Sequence, residues 1–480
     1  MSAEIAHRPA GRSGKGGSRK ALGGALGAVL LSLPACVWLW GFTVDDALIT
    51  ARVAAHYAQG LGPRFNAPGA FTDAVTPLGY APLLGLLARG NTLSVFRFAK
   101  WFGLAAWLLT AGLLGGLVAR SGTRVLRFSP LCVVAVSAPL AAWAVSGMET
   151  GFVTLLATLG VAGGTWGAAA LGVAAALRPE LIPFAGILVA ARVAVDRPGR
   201  LVGALRVGCV VAPVVLCASL RQELFGQVVP LSFYAKPSDF AHGLRYALGG
   251  FAFTGLPWLL LATPRELSLL PRAAWPLLLA LLGHAGALVL CGGDWMPFYR
   301  LAVPVLPATA LLAALLAEQA RPAFAAVRLV VAVAAALVLA VGLGPAARQV
   351  GFDRARLIAA AVPVLAKDER IAALDVGWVG AASEAELLDL AGVTDPQVAF
   401  FPGGHTSKRI PASWLFARGP TAIVLLLARG APLEIPYETS LFARAVEGHV
   451  ARLVAGDFQV RTTLALGEQT YVVLEPKLGP

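Results

Sequence analysis

The sequence predicts a polytopic α-helical membrane protein with a C-terminal extracytoplasmic α/β domain. Of its 480 residues, 58% are hydrophobic and 14% are charged, and the mean hydropathy is +0.74. Soluble domains carry about 25% charged residues, so this composition is far from that of a soluble protein. Apolar stretches of membrane-spanning length recur up to about residue 344, and short strand-like segments follow them.

The composition also argues against two classes of function. The net charge of +13 does not indicate nucleic-acid binding, because the excess Lys and Arg residues lie in short loops between apolar segments, where they set orientation in a membrane. The five cysteines show no CxxC or metal-ligand spacing, so we interpret them as small core residues rather than as a metal site.

The N-terminal part predicts a tail followed by a membrane domain. Residues 1–20 are rich in Gly and Ser and carry five basic residues, which is typical of a disordered cytoplasmic tail. The transmembrane domain is predicted over 21–344, with about 11 transmembrane helices. The predicted spans are 21–41, 98–119, 128–145, 150–166, 167–177, 181–194, 201–219, 243–262, 273–290, 301–317 and 323–343.

Basic residues at the short turns give the orientation of these spans. If the first outer loop does not cross the membrane, every basic cluster at a short turn falls on the side of the N-terminal tail, as the positive-inside rule requires. The acidic pair Asp45 and Asp46 then lies on the opposite, extracytoplasmic side. The clusters are Arg120, Arg124 and Arg127; Arg192, Arg197, Arg200 and Arg206; Arg265 and Arg272; and Arg321 and Arg328.

The first outer loop, residues 42–97, is predicted to contain two juxtamembrane helices. The stretch DDALITARVAAHYAQG has an amphipathic helical pattern, and Gly60 is suited to end the helix. The stretch TPLGYAPLLGLLARG has about a dozen apolar residues, which is short for a span and favours an interfacial or re-entrant helix.

Residues 345–480 predict the soluble α/β domain. The segments ERIAALDVGWVG, ELLDLAG and TAIVLLLARG, and the pair QVRTTLAL and QTYVVLEP, have the composition of short strands. Helical and Gly/Pro-rich segments lie between them. An odd number of spans places this domain on the extracytoplasmic side.

Polar side chains from distant loops are predicted to share that side. There a carboxylate can act as a general base, and cations can hold a phosphate leaving group. Asp45, Arg52 and His56 fall on one face of the first loop helix, at positions i, i+7 and i+11. The predicted set is Asp45, Asp46, Arg52, His56, Glu149, Arg178, Glu180, Tyr234, Lys236, Asp294, Tyr299, Arg300, His405, Lys408 and Arg409.

Each of these residues also has a structural reading. Taken alone, Asp45 is interpreted best as the cap of the helix that follows it. Lys236 and Arg300 could instead contact lipid headgroups, with about equal weight. Asp294 could pair with Arg300, and His405 could be a surface histidine of a Gly-rich loop. Their shared position on one side of the membrane, rather than any single residue, indicates a site.

The stretch TVDDALITARVAAHYAQGLGPRFNAPGAFTDAVTPLGYAPLLGLL resembles the first outer loop of bacterial GT-C glycosyltransferases, and is most similar to the mycobacterial terminal arabinofuranosyltransferase type. The shared features are an acidic pair (Asp45–Asp46), a helix (47–59), an asparagine turn (Asn66) and a T-x-P-L helix (Thr76–Leu78). SGMETGF, RPE, FYAK, GGDWMPFYRLAVPVLP and DVGWVGAASEAELLDLAGVTDP also match. The resemblance extends from about residue 40 to 430.

Two positions depart from the pattern of these relatives. Asp73 and Ala74 stand where relatives commonly have a Gly-Tyr or Gly-Ala pair, and Ser232 stands where an asparagine or threonine is frequent. The changes concern the acceptor or donor pocket, so arabinose is not carried over as the transferred sugar.

The resemblance implies transfer of a glycosyl unit from a polyprenyl-phosphate sugar to an extracytoplasmic glycan, lipid or protein, with inversion, at the bacterial plasma membrane. It implies Asp45 or Asp46 as the base, with a slight preference for Asp45. Candidate phosphate ligands are Arg52, Lys236 and Arg300. No metal is required, although the acidic pair is compatible with a divalent ion. The expected substrate-pocket residues are His56, Glu149, Arg178, Glu180, Tyr234, Asp294, Tyr299, His405 and Lys408.

Two other functions remain open from the sequence. A flippase or transporter of lipid-linked sugars would be expected to show internal repeats and charges at the membrane midplane. The chain shows no such repeat, and its charges cluster at one face. A non-catalytic scaffold whose outer domain binds glycans would leave the charges of the membrane domain unexplained.

Overall fold

The computed structural model describes residues 16–120, 129–253, 261–431 and 441–477. Residues 1–15 of the predicted tail, together with Arg124 and Arg127, lie outside this part. The chain divides into two units. The helical unit comprises Met1–Phe42, Lys100–Cys217 and Ser238–Arg348, and the mixed unit comprises Thr43–Ala99, Ala218–Pro237 and Gln349–Pro480.

The described helices and strands alternate only after residue 365. In chain order the helices are α1 (Gly16–Trp38), α2 (Asp45–Ala58), α3 (Tyr80–Leu87), α4 (Thr92–Arg120), α5 (Ser129–Ala135), α6 (Ala138–Ala144), α7 (Thr150–Ala162), α8 (Gly164–Leu177), α9 (Ile182–Asp196), α10 (Arg200–Phe225), α11 (Leu231–Ala235), α12 (Phe240–Phe253), α13 (Pro264–Ser268), α14 (Trp275–Leu290), α15 (Leu306–Gln319), α16 (Pro322–Leu365), α17 (Val376–Ala382), α18 (Pro396–Ala399), α19 (Ala412–Ala417) and α20 (Ala445–Val454). The strands are β1 (Arg370–Ala373), β2 (Glu386–Asp389), β3 (Ala422–Leu426), β4 (Phe458–Leu466) and β5 (Gln469–Pro476).

Five of the described helices are long and apolar enough to cross a membrane. Their apolar side chains point outward as well as inward, and Leu30 of α1 and Leu216 of α10 are at least 60% exposed. A helix that is apolar all round suits a lipid environment. The five segments are Ser18–Trp38, Thr92–Ala119, Arg200–Phe225, Arg272–Leu290 and Pro322–Leu365. The predicted combination of membrane-type helices with a small C-terminal sheet is confirmed.

Some predicted boundaries differ from the structure. Helix α1 begins at Gly16, inside the predicted tail. The predicted span 128–145 consists of α5 and α6, which are separated before Pro139, because proline has no backbone N–H to continue a helix. The segment 77–88 contains only the eight-residue α3, which is too short to cross a bilayer as a helix.

Helices α1 and α4 of the helical unit pack closely at a pair of glycines. A Cβ atom on Gly24 would lie 2.5 Å from the Gly115 carbonyl oxygen, and one on Gly115 would lie 2.7 Å from the Cβ of Ala28. Small residues let two helix backbones approach, which is how helices associate where water provides no driving force.

The mixed unit contains a five-stranded sheet with the order β2-β1-β3-β5-β4. Strand β1 pairs in parallel with β2 and β3, while β5 is antiparallel to β3 and β4. The core includes Ile423 and Leu425 of β3, packed against Val446 and Val450 of α20. Parallel strands buried among helices are the expected arrangement for α/β segments.

One strand prediction is confirmed only in its first half. The segment ERIAALDVGWVG contains β1, but the strand ends at Ala373 and α17 begins at Val376. The helix is held by side chains from the first loop, about 330 residues earlier in the chain, so local composition could not reveal it. The prediction of a helix ending near Gly60 is confirmed, since α2 ends at Ala58 and Gly60 has a φ of 78°.

We expect Gly115→Ala to lower the thermal stability of the purified protein, because the added methyl group collides with the Gly24 backbone. Overpacking of this kind costs about 1–3 kcal/mol. Gly116→Ala is the matched control, since its Cβ would meet only ordinary contacts at 3.5 and 4.0 Å. Equal melting temperatures for the two variants would contradict the described packing of α1 and α4.

Candidate functional site

Asp45 binds the N-terminal end of α17. Its Oδ2 accepts the Gly377 backbone N–H at 2.7 Å, and its Oδ1 accepts the Trp378 N–H at 2.9 Å. The first N–H groups of a helix have no partner inside the helix, and the helix dipole favours a negative charge there. The structural reading of Asp45 as a helix cap was therefore close, but the helix that it caps is α17 and not α2.

Arg52 binds the other end of the same helix. Its Nη1 donates to the carbonyls of Gly380 and Ser383 at 2.6 and 2.9 Å, and its Nη2 donates to that of Ala385 at 3.0 Å. Its Nε donates to the Phe65 carbonyl at 2.9 Å. Four of the five N–H donors of the side chain are thus used, and Arg52 is only 3% exposed. These contacts correct its prediction as a phosphate ligand, because the guanidinium is already bound to backbone.

Two further contacts extend this link along the first loop. The side-chain amide of Asn66 makes two hydrogen bonds to the backbone of Leu387 in β2. Its Nδ2 donates to the Leu387 carbonyl at 3.0 Å, and its Oδ1 accepts the Leu387 N–H at 2.9 Å. His56 lies with its Nδ1 2.8 Å from the Arg64 carbonyl. Burial lowers the pKa of His56, so the ring is neutral at pH 7 and donates from Nδ1. His56 therefore orders the loop, and its predicted place in the substrate pocket has no support in these contacts.

The environment of Asp45 changes its acidity. Burial raises the pKa of Asp45 to about 7; the charges of Asp375 and Asp46 add to this rise, whereas Arg354 and the Gly377 N–H oppose it. A carboxylate that loses its proton near pH 7 is suited to act as a base at neutral pH. Its two backbone donors fix its orientation, and each oxygen keeps a second lone pair.

Asp375 interacts electrostatically with Asp45 and is a residue that the sequence did not indicate. It follows β1, and its carboxylate accepts both terminal nitrogens of Arg444 at 2.8 and 2.7 Å and the Tyr471 hydroxyl at 2.6 Å. Burial acts to raise the pKa of Asp375, but the ion pair with Arg444 outweighs it and lowers the pKa. Its position directly after a strand that is paired in parallel on both sides was the signal that could have identified it.

A second group of predicted residues lies on α11 and on the loop after α18 in the mixed unit. Tyr234 of α11 packs on Phe400 with ring centroids 5.0 Å apart, and α11 contacts α18. A Cβ atom on Gly404 would lie 3.9 Å from Pro237. Lys236 and His405 are the sequence neighbours of these two residues, so the structure brings both onto adjoining segments. Both side chains are partly exposed.

The side chain of Lys408 is buried and does not lie on the surface beside Lys236 and His405. Its Nζ donates to the carbonyls of Ala399 and Phe401 at 2.6 and 3.0 Å, and the residue is only 2% exposed. Burial lowers its pKa. The prediction that Lys408 lines a substrate pocket is corrected, because its ammonium group holds the 399–408 loop from inside.

Asp73 and Ser232, which depart from the pattern of the relatives, both make hydrogen bonds at the short helix α11. Asp73 accepts the Leu231 backbone N–H at 3.2 Å and Arg221 Nε at 2.9 Å. The hydroxyls of Thr76 and Ser232 lie 2.9 Å apart. Asp73 and Arg221 are both buried, so this ion pair is a fixed part of the fold. Asp73 and Ser232 therefore both help to hold α11 in place, and Lys236 directly follows α11.

Five of the predicted residues form ion pairs in the helical unit: Glu149, Arg178, Glu180, Asp294 and Arg300. Arg178 binds Glu149 at 2.7 Å and Glu180 at 2.6 Å. All three groups are at most 9% exposed, and buried charges are stable when they are paired in this way. The structure therefore brings three of the predicted residues together, with one arginine paired to two carboxylates.

Arg300 also has an acidic partner in this unit. Its Nη2 lies 2.7 Å from Asp294, as the structural reading proposed, and its guanidinium lies over the Trp143 ring. The two residues before it, Phe298 and Tyr299, have φ values of 60° and 48°. This left-handed backbone is uncommon for aromatic residues and costs about 1–3 kcal/mol per residue, which is typical of functional segments. The charge of Arg300 is compensated by Asp294, which weakens the prediction of Arg300 as a phosphate ligand.

Within the described ranges, no three His, Cys, Asp or Glu side chains converge at metal-binding distance. The first coordination positions of Asp45 are occupied by backbone N–H donors. Carboxylate sites for divalent cations need several oxygen ligands. The proposed reaction routes no step through a metal ion.

Comparison with known proteins gives one partial match. A family model described as a domain of unknown function (DUF8728) matches residues 346–474. The match covers the end of α16 and most of the sheet, and its description gives no activity. No curated protein and no solved structure matches the chain.

We expect Gly377→Ala to lower the melting temperature, because the added Cβ would lie 2.6 Å from Asp45 Oδ2 and even closer to the Asp45 backbone oxygen. The collision separates α2 from α17, at a cost of about 1–3 kcal/mol. Gly456→Ala is the control, since no atom lies within 4 Å of its Cβ position. If both variants melted like the wild type, the contact between Asp45 and α17 would be refuted.

Proposed function

We propose that the protein is a membrane glycosyltransferase of the GT-C type, with about 11 spans. It transfers a sugar from a polyprenyl-phosphate donor to a glycan, lipid or protein outside the cytoplasm of a bacterium. The N-terminus lies in the cytoplasm and the C-terminal domain lies outside, in accord with the basic residues at the turns. The observation that carries the proposal is the oriented Asp45 carboxylate, whose pKa of about 7 suits a base at neutral pH.

The reaction is a single displacement. Asp45 takes the proton from an acceptor hydroxyl while that oxygen attacks the anomeric carbon of the donor sugar. The bond between the anomeric carbon and the phosphate oxygen breaks on the opposite face, so the configuration inverts. The polyprenyl phosphate leaves with the electron pair, and Asp45 then releases its proton to solvent. Asp46 orients Asp45 or the acceptor.

The leaving phosphate needs positive charge close to it. Arg52 is bound to backbone carbonyls, and Arg300 is paired with Asp294. Lys236 is the remaining member of the predicted phosphate set, and His405 lies on the adjoining loop. We therefore assign the phosphate first to Lys236, with His405 beside it. The alternatives of a flippase and of a glycan-binding scaffold are not favoured by a specific contact.

If Asp45 is the base, the rate of transfer depends on its ionisation. The acid form cannot accept a proton, so kcat/KM should rise about tenfold per pH unit below pH 7 and level off above it. Asp46, Asp375 and Arg354 face Asp45 and set this value. Initial rates with a radiolabelled polyprenyl-phosphate sugar measure the profile. A flat profile between pH 5 and 8, or near-normal turnover by Asp45→Asn, would contradict the assignment.

Lys236→Ala should weaken binding of polyprenyl phosphate about tenfold or more, because a charge-assisted bond to the phosphate is lost. Lys367→Ala, which removes an exposed lysine of the same unit, should leave binding unchanged. Binding of polyprenyl phosphate to the purified protein is measured by thermophoresis. Equal affinity of the two variants would remove Lys236 from the phosphate site.

A further inference from the structure

The helical unit contains an apolar cavity between α1, α4 and α5. Its volume is about 220 Å³, and glycine, alanine, valine and leucine residues supply most of the described lining. Leu31 and Cys132 line the cavity and are themselves exposed, so the cavity opens at the outer surface of these helices. Apolar cavities of about 150 Å³ bind small hydrocarbons such as benzene. A segment of a hydrocarbon chain therefore fits in this cavity.

A glycine of α1 leaves part of this space open. Gly27 lines the cavity, and a Cβ atom at this position would meet no atom within 4 Å. It differs in this respect from Gly24, whose Cβ would collide with α4. Helices α1 and α4 are both of membrane-spanning type. Because lipid tails are as apolar as leucine side chains, a lipid chain can occupy the space that Gly27 leaves.

Trp107 supplies an unused hydrogen-bond donor in the wall of the cavity. The residue is 1% exposed, and its Nε1 has no hydrogen-bond partner within the described ranges. A buried indole N–H normally finds a partner. A water molecule needs about two to four polar partners, which this apolar wall does not provide. The π electrons of a carbon–carbon double bond can accept a weak hydrogen bond, so the indole favours an unsaturated chain.

A lysine extends the row of α1 residues that lines the cavity. These lining residues are Gly24, Gly27, Ala28 and Leu31. Lys20 lies four residues before Gly24, which places it on the same face of the helix, and its side chain is exposed. A cation beside the end of a hydrocarbon cavity suits the phosphate of an anionic lipid. The charge and the cavity together therefore favour a lipid over a small apolar molecule.

We infer that this cavity binds one acyl chain of an anionic membrane phospholipid, with the lipid phosphate beside Lys20 and an unsaturated part of the chain beside Trp107. The inference does not depend on glycosyl transfer. The proposed sugar donor is also an anionic lipid, but its phosphate has to reach Asp45, which follows the end of α1, whereas Lys20 lies near the beginning of that helix. The phospholipid site is therefore distinct from the phosphate site assigned to Lys236.

Native mass spectrometry of the full-length protein in detergent micelles measures this binding. The probe is dioleoyl-phosphatidylglycerol. It is compared with distearoyl-phosphatidylglycerol, which has the same headgroup and chain length without double bonds, and with dioleoyl-phosphatidylcholine, which has no net charge. One molecule of the probe should bind saturably, and more tightly than either of the other lipids. Lys20→Gln should weaken its binding about fivefold, because one cation near the headgroup is lost.

Gly27→Leu should abolish the saturable binding, because the leucine side chain fills the cavity. Gly23→Leu is the matched control, since its Cβ position also has no atom within 4 Å and Gly23 is not among the described lining residues. In the absence of lipid, Gly27→Leu should melt no lower than Gly23→Leu. Trp107→Phe removes the N–H, and should bind the probe while losing the preference for the unsaturated chain.

Three results would overturn the inference. The first is equal binding of the probe by Gly27→Leu and Gly23→Leu, and the second is equal affinity of the wild type for phosphatidylglycerol and phosphatidylcholine. The third is a loss of polyprenyl phosphate binding in Gly27→Leu, since the cavity would then belong to the proposed donor. A wild type that binds the probe but transfers no sugar would refute the proposed function and support the phospholipid site.

Discussion

Two opposite charges on α2 hold the two ends of one short helix. Asp45 accepts the first N–H groups of α17, and Arg52, seven residues later, donates to the carbonyls at its end. Each charge has the sign that the dipole of α17 favours. The spacing of seven residues matches the length of α17, which is also seven residues. The first loop and the C-terminal sheet are therefore one unit, and the position of every proposed site residue near Asp45 follows from this link.

The link explains how one aspartate can have both a structural and a chemical role. Burial against α17 raises the pKa of Asp45, while the two backbone donors fix the direction of its oxygens. A surface carboxylate would be ionised and mobile, and a buried one without donors would be neutral and poorly oriented. The positive charge of Arg354, a residue of α16, opposes this rise in the pKa of Asp45. We therefore expect catalysis at the contact between Asp45 and α17, which joins the first loop to the C-terminal sheet.

The sequence predicted the class of protein, α2, the five strand-bearing segments and the charged residues that form ion pairs. These features have local signals: apolar length, helical period, and charges within apolar segments. It did not predict α17, the use of Arg52 or the burial of Lys408. Each of those depends on carbonyl or N–H groups contributed by another segment, as with Arg52 and Ala385. The residue type does not show whether a side chain binds backbone groups. An arginine that binds carbonyls therefore cannot be told in the sequence from one that binds phosphate.

The most direct test is to follow the sugar itself in proteoliposomes. Purified protein is given a polyprenyl-phosphate sugar that is radiolabelled in the sugar, together with an extract of bacterial cell-envelope glycans and lipids. The account predicts that the label leaves the polyprenyl lipid and appears in a glycan of inverted anomeric configuration, and that Asp45→Asn abolishes this transfer. A label that crosses the bilayer while still attached to the polyprenyl lipid, or that stays where it was added, would contradict the account.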